Sequence, residues 1–118
     1  MRPDKRKRAY RKGIRAEWIA AFYLLVKGYR LVERRHRNPA GEIDLIVRRG
    51  DLVVFVEVKA RRDEQAALDS IGYEAQRRIE RAGEFWLTGN GLAQTVSWRF
   101  DVIAVLPWRW PQHFEDVW

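Results

Sequence analysis

The sequence predicts a single α/β domain whose mixed sheet is flanked by helices, in the order αβββαβ. Two segments carry apolar residues at helical spacing, three shorter segments are rich in Val, Ile, Leu and Phe, as strands are, and an Arg-rich segment before them is predicted to be a fourth strand. Short turns join the first three strands, which predicts an antiparallel meander. A helix precedes the last strand, which predicts a parallel, right-handed crossover. With 118 residues, the chain is long enough for one hydrophobic core and too short for two.

The first helix is predicted over about residues 11–27, and Gly28 follows it as a stop signal. Apolar residues recur there at helical spacing, in a stripe of the kind that normally faces a core: Ile14, Trp18, Phe22, Leu25 and Val26. Glu17 lies beside this stripe. It is either a boundary residue that pairs with Lys27 or an Arg, or a third acidic group next to the acidic residues of the strands.

The net charge of +7 lies at the N-terminus, because residues 1–15 hold eight Lys or Arg and one Asp, and the remainder is neutral. We therefore divide the chain into a basic tail, residues 1–12, and a domain, residues 13–118. Such a tail suits phosphate backbones and would give salt-sensitive binding without sequence preference. The alternative is a disordered segment that serves only solubility.

Three strands are predicted next, over residues 29–37, 43–47 and 52–58, with turn residues between them. The third is apolar on both faces, which is typical of a strand that is covered on both sides. The first carries Arg34, Arg35 and Arg37, which form a solvated edge of the sheet or contact phosphate groups. His36 has no Ser or Cys partner at a recognisable spacing, so we assign it no catalytic role.

Two acidic residues are expected to meet within this hairpin. Side chains alternate along a strand, so we expect Glu42, Asp44 and Ile46 on one face of the second strand. Glu57 and Lys59 likewise share a face of the third strand, and the hairpin brings Asp44 beside them. Two carboxylates about 4 Å apart repel each other by roughly 4 kcal/mol at an effective dielectric of about 20, so a compensating cation is needed, either Lys59 or a divalent metal. The alternative is a solvated strand end with an incidental ion pair.

The rest of the chain predicts a loop over residues 60–72, a helix over 74–87 and a strand over 95–106. Arg99 and Asp101 share a face of that strand. A structural ion pair is the expected explanation, and a secondary acidic role for Asp101 is the alternative. The C-terminal aromatic residues are expected to fold back onto the body or to form an oligomer contact, such as a homodimer: Trp108, Trp110, Phe114 and Trp118.

Composition excludes several classes of protein. The chain has no cysteine, which excludes disulfides, thiolate catalysis and cysteine-ligated zinc. It has no apolar run of membrane-spanning length, and the basic N-terminus is not followed by the apolar segment of a signal peptide. A cytoplasmic protein is the expectation.

Three motifs carry a resemblance to a known family. Asp44 is followed, after twelve residues, by Glu57-Val58-Lys59, which is similar to the Asp…(Asp/Glu)-x-Lys signature of the restriction-endonuclease-like nucleases. More narrowly, the chain resembles the bacterial UPF0102 family, the YraN-like proteins, from about Gly13 to Leu106. The matching stretches are Gly41-Glu42-Ile43-Asp44-Leu45-Ile46, Val54-Phe55-Val56-Glu57-Val58-Lys59-x-Arg61 and Arg99-Phe100-Asp101-Val102.

The resemblance implies the restriction-endonuclease-like PD-(D/E)xK fold and a metal-dependent endonuclease that hydrolyses nucleic acid. DNA, with branched DNA as a candidate, is expected ahead of RNA. Mg²⁺ or Mn²⁺ would be held by Asp44, Glu57 and the Val58 carbonyl, because hard cations prefer oxygen ligands. Lys59 would stabilise the attacking hydroxide or the developing anion. Glu17 and Glu42 would be auxiliary acids, and the nucleic acid would be contacted by Arg34, Arg35, Arg37, Arg61 and Arg77.

The chain departs from the family pattern at one place in the second predicted helix. The family usually has a Lys just before the Gln-Arg-Arg portion, where this chain has Ala75. The role of that Lys would then fall to Gln76 or Arg77. This departure and the basic tail support an alternative from a different class, a nucleic-acid-binding module that keeps the nuclease-like fold without turnover.

Overall fold

A computed structural model describes residues 5–117 of the chain. The elements follow in this order: α1 (Lys5–Val26), β1 (Arg30–Asn38), β2 (Gly41–Arg49), β3 (Leu52–Ala60), α2 (Glu64–Asp69), α3 (Tyr73–Gly89), β4 (Ser97–Val105) and β5 (Gln112–Phe114). The predicted α/β class and the αβββαβ core are confirmed. The structure adds α2 and β5 to that core.

The five strands form one mixed sheet in the order β1-β2-β3-β4-β5. The first three strands are antiparallel neighbours, as short turns require, and β4 joins β3 in parallel after the helical crossover. The short strand β5 then pairs antiparallel with β4. This arrangement puts β3 at the centre of the sheet, with α1 packed on one face and α3 on the other.

Alternate residues of β3 build two separate cores. On the α1 face, Val54, Val56 and Val58 pack with the buried residues Ala16, Ala20, Leu24, Tyr29, Leu45, Val47 and Ile103. On the α3 face, Val53 and Phe55 pack with Ile43, Ile46, Ile79, Ala82, Trp86, Leu87, Val96 and Phe100. Because both faces are covered, β3 is apolar at consecutive positions, as the sequence predicted.

Helix α1 buries a different face from the one that its apolar stripe indicates. The prediction for this stripe is wrong: Trp18, Phe22 and Leu25 are 51%, 62% and 62% exposed. The buried face consists of Ala16, Glu17, Ala20, Ala21 and Leu24. Side chains as small as alanine let the helix backbone lie close to the sheet, and counting bulky apolar residues does not detect this kind of contact.

The same helix begins earlier than expected. It was predicted to start near residue 11, but it already includes Lys5, so most of the predicted basic tail is helical. Lys, Arg and Ala are good helix formers, and no Pro or Gly interrupts residues 5–12. Residues 1–4 of the tail lie outside the described residues.

Two elements form where the sequence predicted loop or gave no assignment. In the predicted loop 60–72, Asp63 caps α2 by accepting a hydrogen bond from the Ala66 N–H, and Ala67 is fully buried. At the C-terminus, β5 folds back onto β4, and Phe114 packs against Ala67, Ala104 and Leu106. The expected fold-back is therefore confirmed for this segment.

The other C-terminal aromatics do not join the core. Trp108 and Trp110 are 102% and 73% exposed, and Trp118 lies outside the described residues. The homodimer through this region stays a prediction.

A buried polar network attaches the C-terminal segment to the sheet. The predicted ion pair is confirmed: Arg99 donates to both oxygens of the fully buried Asp101, at 2.8 Å each. His113 Nε2 lies 2.7 Å from Asp101 Oδ2, and the Asp116 N–H donates to Oδ1. Burial raises the pKa of Asp101, but the bonds from His113 and Arg99 outweigh it and hold this pKa below its usual range. The secondary acidic role for Asp101 stays a prediction.

Within residues 5–117, none of the helices combines the length and the apolarity that crossing a membrane requires.

Candidate active site

The candidate site lies where β2 and β3 stop pairing. Their ladder runs from Arg49 and Leu52 to Leu45 and Val56. Beyond this last pair, β3 continues to Ala60 beside β4, whereas β2 extends back to Gly41 beside β1. Asp44 and Glu57 are the first residues past the pair, so both carboxyl groups stand at a fork in the sheet.

The backbone of β3 orients the Asp44 carboxylate. Its Oδ2 atom accepts a hydrogen bond from the Val58 N–H at 2.9 Å. This bond takes the place of a backbone partner for Val58 at the fork and fixes the direction of the carboxylate.

Glu57 meets both Asp44 and Lys59. The Lys59 Nζ atom lies 3.3 Å from Glu57 Oε1, and the two side chains are only 24% and 13% exposed. Burial, followed by the charge of Asp44, raises the pKa of Glu57 to about 8. Lys59 lowers that pKa but does not offset these two effects. At neutral pH the Glu57 carboxyl group is therefore mostly protonated beside Asp44.

The structure thus brings Asp44, Glu57 and Lys59 together, and the donors fit a hard divalent cation. The raised pKa of Glu57 means that a negative charge on Glu57 beside Asp44 is poorly stabilised by the surroundings, and a cation could take the place of the Glu57 proton. Among residues 5–117, no three or more His, Asp or Glu side chains are grouped so as to hold a metal. Such an ion would therefore be held by Asp44, Glu57 and a backbone oxygen. The Val58 carbonyl is the candidate for this oxygen, because Asp44, Glu57 and Val58 line one cavity.

Glu17 lines the cavity that contains Asp44 and Glu57, but its carboxylate is hydrogen-bonded to two arginines. We define the α1-side cavity by its lining residues: Lys12, Gly13, Ala16, Glu17, Asp44, Glu57, Val58, Lys59, Ala60 and Arg61. Glu17 Oε1 accepts hydrogen bonds from Arg34 Nη1 at 3.1 Å and from Arg35 Nε at 2.7 Å. The boundary interpretation foresaw an Arg or Lys27 as the partner, and two arginines fill that place. An additional acidic role for Glu17 stays a prediction.

A kink in β1 allows both arginines to reach Glu17. Consecutive residues of a regular strand point to opposite faces, yet Arg34 and Arg35 contact the same oxygen. Arg35 adopts a φ of 55°, in the left-handed region, which turns its side chain to the face of Arg34. The expected phosphate contacts of these arginines stay a prediction, and the structure assigns both of them an acidic partner within the chain.

The alternation predicted for β2 is interrupted as well. Leu45 and Val47 belong to the core under α1, whereas Ile43 and Ile46 both belong to the core under α3. Asp44 consequently lines the α1-side cavity, while Glu42 lines a cavity on the other face. The prediction that Glu42, Asp44 and Ile46 share one face is therefore wrong, because alternation requires a regular strand.

Helix α3 contributes a residue that the sequence analysis missed. The α3-side cavity is lined by Gly41, Glu42, Glu57, Lys59, Ser70, Ile71, Ala75, Arg78 and Ile79. Ala75 therefore faces Glu57 and Lys59, and Arg78, one helical turn later, is the basic residue that accompanies it. The sequence analysis had nominated Gln76 and Arg77. Residues three positions apart lie on the same face of a helix, so the position of Arg78 relative to Ala75 was the signal that could have identified it.

The remaining nominated residues lie at the margins of the site. Gln76 donates to the Ile71 carbonyl at 3.2 Å, and Arg77 donates to the Tyr73 hydroxyl at 3.1 Å. Arg37, whose side chain is 79% exposed, lies 3.5 Å from Glu42. Arg61 lines the α1-side cavity.

His36 is held by two neighbours on β1. Its Nδ1 atom lies 2.9 Å from Glu33 Oε1, and its Nε2 atom lies 3.0 Å from the Asn38 amide nitrogen. Glu33 also accepts a hydrogen bond from the Trp86 indole. Both ring nitrogens therefore take part in a structural network between β1 and α3.

Comparisons with known proteins confirm the resemblance to the UPF0102 family. The model of the uncharacterised protein family UPF0102 matches residues 16–105. A UPF0102 protein from Mesorhizobium japonicum is 58% identical over 112 residues, which cover 95% of this chain and 90% of that protein. UPF0102 proteins from Chelativorans and Sinorhizobium fredii are 53% and 50% identical, over 95% and 98% of this chain and 90% and 96% of those proteins. The chain belongs to the uncharacterised protein family UPF0102.

Proposed function

We propose that this protein is a metal-dependent nuclease that hydrolyses phosphodiester bonds of nucleic acid. The observation that carries the proposal is the convergence of Asp44, Glu57 and Lys59 at the fork of the sheet, where Asp44 Oδ2 accepts a hydrogen bond from the Val58 N–H and Lys59 Nζ lies 3.3 Å from Glu57 Oε1. A site that concentrates negative charge in this way suits a cation, and a cation beside an ammonium group suits a phosphodiester.

Each residue has a distinct task in this proposal. A bound divalent ion supplies Lewis-acid polarisation of the phosphodiester and lowers the pKa of a water molecule. Asp44, oriented by the Val58 N–H, presents a carboxylate in a fixed direction. Glu57 releases its proton when the site is loaded, and the Lys59 ammonium places a positive charge where the phosphate oxygens become more negative.

Basic residues around the site support a polyanionic substrate. Lys12 and Arg61 line the α1-side cavity, and Arg78 lines the α3-side cavity, so cations flank the acidic pair on both faces of the sheet. Such cations hold phosphate groups without regard to base sequence. DNA ahead of RNA, a branched substrate and the cytoplasmic location remain parts of the proposal.

The experiment is a cleavage assay with Mg²⁺ or Mn²⁺ on single-stranded, flap and branched DNA and on RNA. We expect cleavage that is lost in Asp44→Asn and reduced roughly 10²–10³-fold in Lys59→Ala. Asp51→Asn is the matched control, because Asp51 is 87% exposed in the β2–β3 turn. The proposal fails if no substrate is cut, or if Asp44→Asn cuts as well as the unaltered protein.

A second candidate is a nucleic-acid-binding module without turnover. Ala75 favours it, because this small apolar side chain faces Glu57 and Lys59 where the family usually has a Lys. Thermal unfolding separates the two candidates. A nuclease site should gain stability from Mn²⁺, and the gain should vanish in Asp44→Asn, whereas a pure binder should respond to salt and not specifically to the ion.

A further inference from the structure

A second groove opens next to the α1-side cavity. We call it the Trp108 groove and define it by its lining residues: Lys12, Arg15, Ala16, Ile19, Ala60, Arg61, Arg62, Val105, Leu106, Pro107 and Trp108. Its volume is about 610 Å³, within the ~300–1,000 Å³ that ligand sites usually occupy. Four of the described lining residues are basic and none is acidic. The groove therefore favours an anionic ligand.

Trp108 stands at this groove in an unusual conformation. It is 102% exposed, and its φ of 58° lies in the left-handed region, which bulky residues rarely adopt. Pro107 precedes it, so Trp108 occupies a turn position that normally selects Gly. Neither burial nor backbone geometry accounts for an indole at this position. Strained residues of this kind cluster at ligand sites.

The groove is continuous with the candidate active site. Four residues line both the Trp108 groove and the α1-side cavity: Lys12, Ala16, Ala60 and Arg61. A ligand that lies along the groove would therefore extend towards Asp44 and Glu57. Both ends of this path are lined by Lys or Arg side chains.

We propose that the Trp108 groove binds unpaired nucleotides of a single-stranded nucleic acid, one base stacking on Trp108. Exposed flat rings suit bases, and the neighbouring cations suit the phosphates that alternate with them. A duplex hides its base faces, so it offers nothing to the indole. The inference deepens the proposed nuclease function by naming the strand that would reach the acidic pair, and rests on that function for this direction.

The test measures binding without cleavage. In the Asp44→Asn background, the affinity for fluorescein-labelled oligothymidylate is compared with that for a blunt duplex. We expect Trp108→Ala to weaken binding of the single strand roughly 5- to 150-fold, which corresponds to the ~1–3 kcal/mol of base–aromatic stacking. Trp108→Phe should retain most of the affinity, and duplex binding should not change.

Trp110→Ala is the matched control, because Trp110 is also exposed but does not line the groove. It should bind the single strand like the parent. Arg62→Ala should make binding less dependent on salt, because one phosphate contact is lost. Circular dichroism of each variant verifies the fold.

Three results would overturn the inference: Trp108→Ala binding the single strand like the parent, equal losses for single strand and duplex, or a loss of self-association in sedimentation with binding unchanged. Binding that depends on Trp108 in a protein without cleavage activity would refute the nuclease proposal and leave this inference standing. Cleavage of single strands at the same rate with and without the Trp108→Ala substitution would refute this inference and leave the nuclease proposal standing.

Discussion

Glu57→Gln should make the metal-free protein more stable while it abolishes the metal response. Burial and Asp44 raise the pKa of Glu57 from 4.5 to about 8. Between pH values equal to these two pKa values, the folded protein keeps a proton on Glu57 that the unfolded chain has lost. Folding must then bind a proton, and this costs more free energy as the pH rises. A glutamine amide is neutral at every pH and can donate a hydrogen bond to Asp44 without this uptake.

The magnitude follows from the pKa difference. In the unfolded chain Glu57 has its ordinary pKa of 4.5, so pH 7 lies about 2.5 pH units above it. Each unit corresponds to 1.36 kcal/mol, so keeping Glu57 protonated in the folded state costs the wild-type protein roughly 3 kcal/mol of stability. Glu57→Gln should recover most of it, which amounts to a rise of ~10 °C in Tm for a domain of this size. Because the folded-state pKa is raised, wild-type stability should fall by ~1.4 kcal/mol per pH unit from about pH 5 to 8 and level off above.

The assay is urea unfolding at several pH values without metal, followed by thermal unfolding with Mn²⁺. Glu57→Gln should lack the pH slope of the wild type between pH 5 and 8 and gain no stability from Mn²⁺. Glu42→Gln is the control, because this carboxyl group is 48% exposed and should change stability by less than ~0.5 kcal/mol. A Glu57→Gln protein that is no more stable than the wild type at pH 7 would show that the pKa of Glu57 is not raised in the folded protein.

Three further outcomes are expected. Asp101→Asn should lower the free energy of unfolding by about 3 kcal/mol in urea titrations, because it breaks a buried pair with Arg99; a change below ~1 kcal/mol would contradict the network. Gly83→Val should cost ~1–3 kcal/mol in the same assay, because a Cβ would lie 3.1 Å from the rings of Phe55 and Phe100, whereas Gly89→Val meets no described atom within 4 Å and should be tolerated. Arg78→Ala should slow cleavage more than Arg81→Ala, which lies outside both cavities that contain Glu57; equal rates would remove Arg78 from the site.

The sequence by itself determined the core of the fold. The apolar runs of β2 and β3, the turn around Gly50 and the helical period of α3 are local signals, because neighbouring residues create them. The meeting of Asp44 and Glu57 follows from the same hairpin, since a short turn brings the two strands together. The ion pair between Arg99 and Asp101 is equally local, two residues apart on one strand.

Only the tertiary structure decided which face of α1 is buried, how Glu17 is paired and what surrounds the acidic pair. Trp18 and Phe22 have more apolar area to bury than Ala16 and Ala20, yet the two alanines face the sheet. Which face of a helix is buried depends on how well its shape fits the surface against which it packs. Likewise, the left-handed Arg35 leaves no mark in a pattern of alternating residues. The fork, the kink and the Trp108 groove depend on segments far apart in the chain, and their geometry arises only when the sheet is assembled.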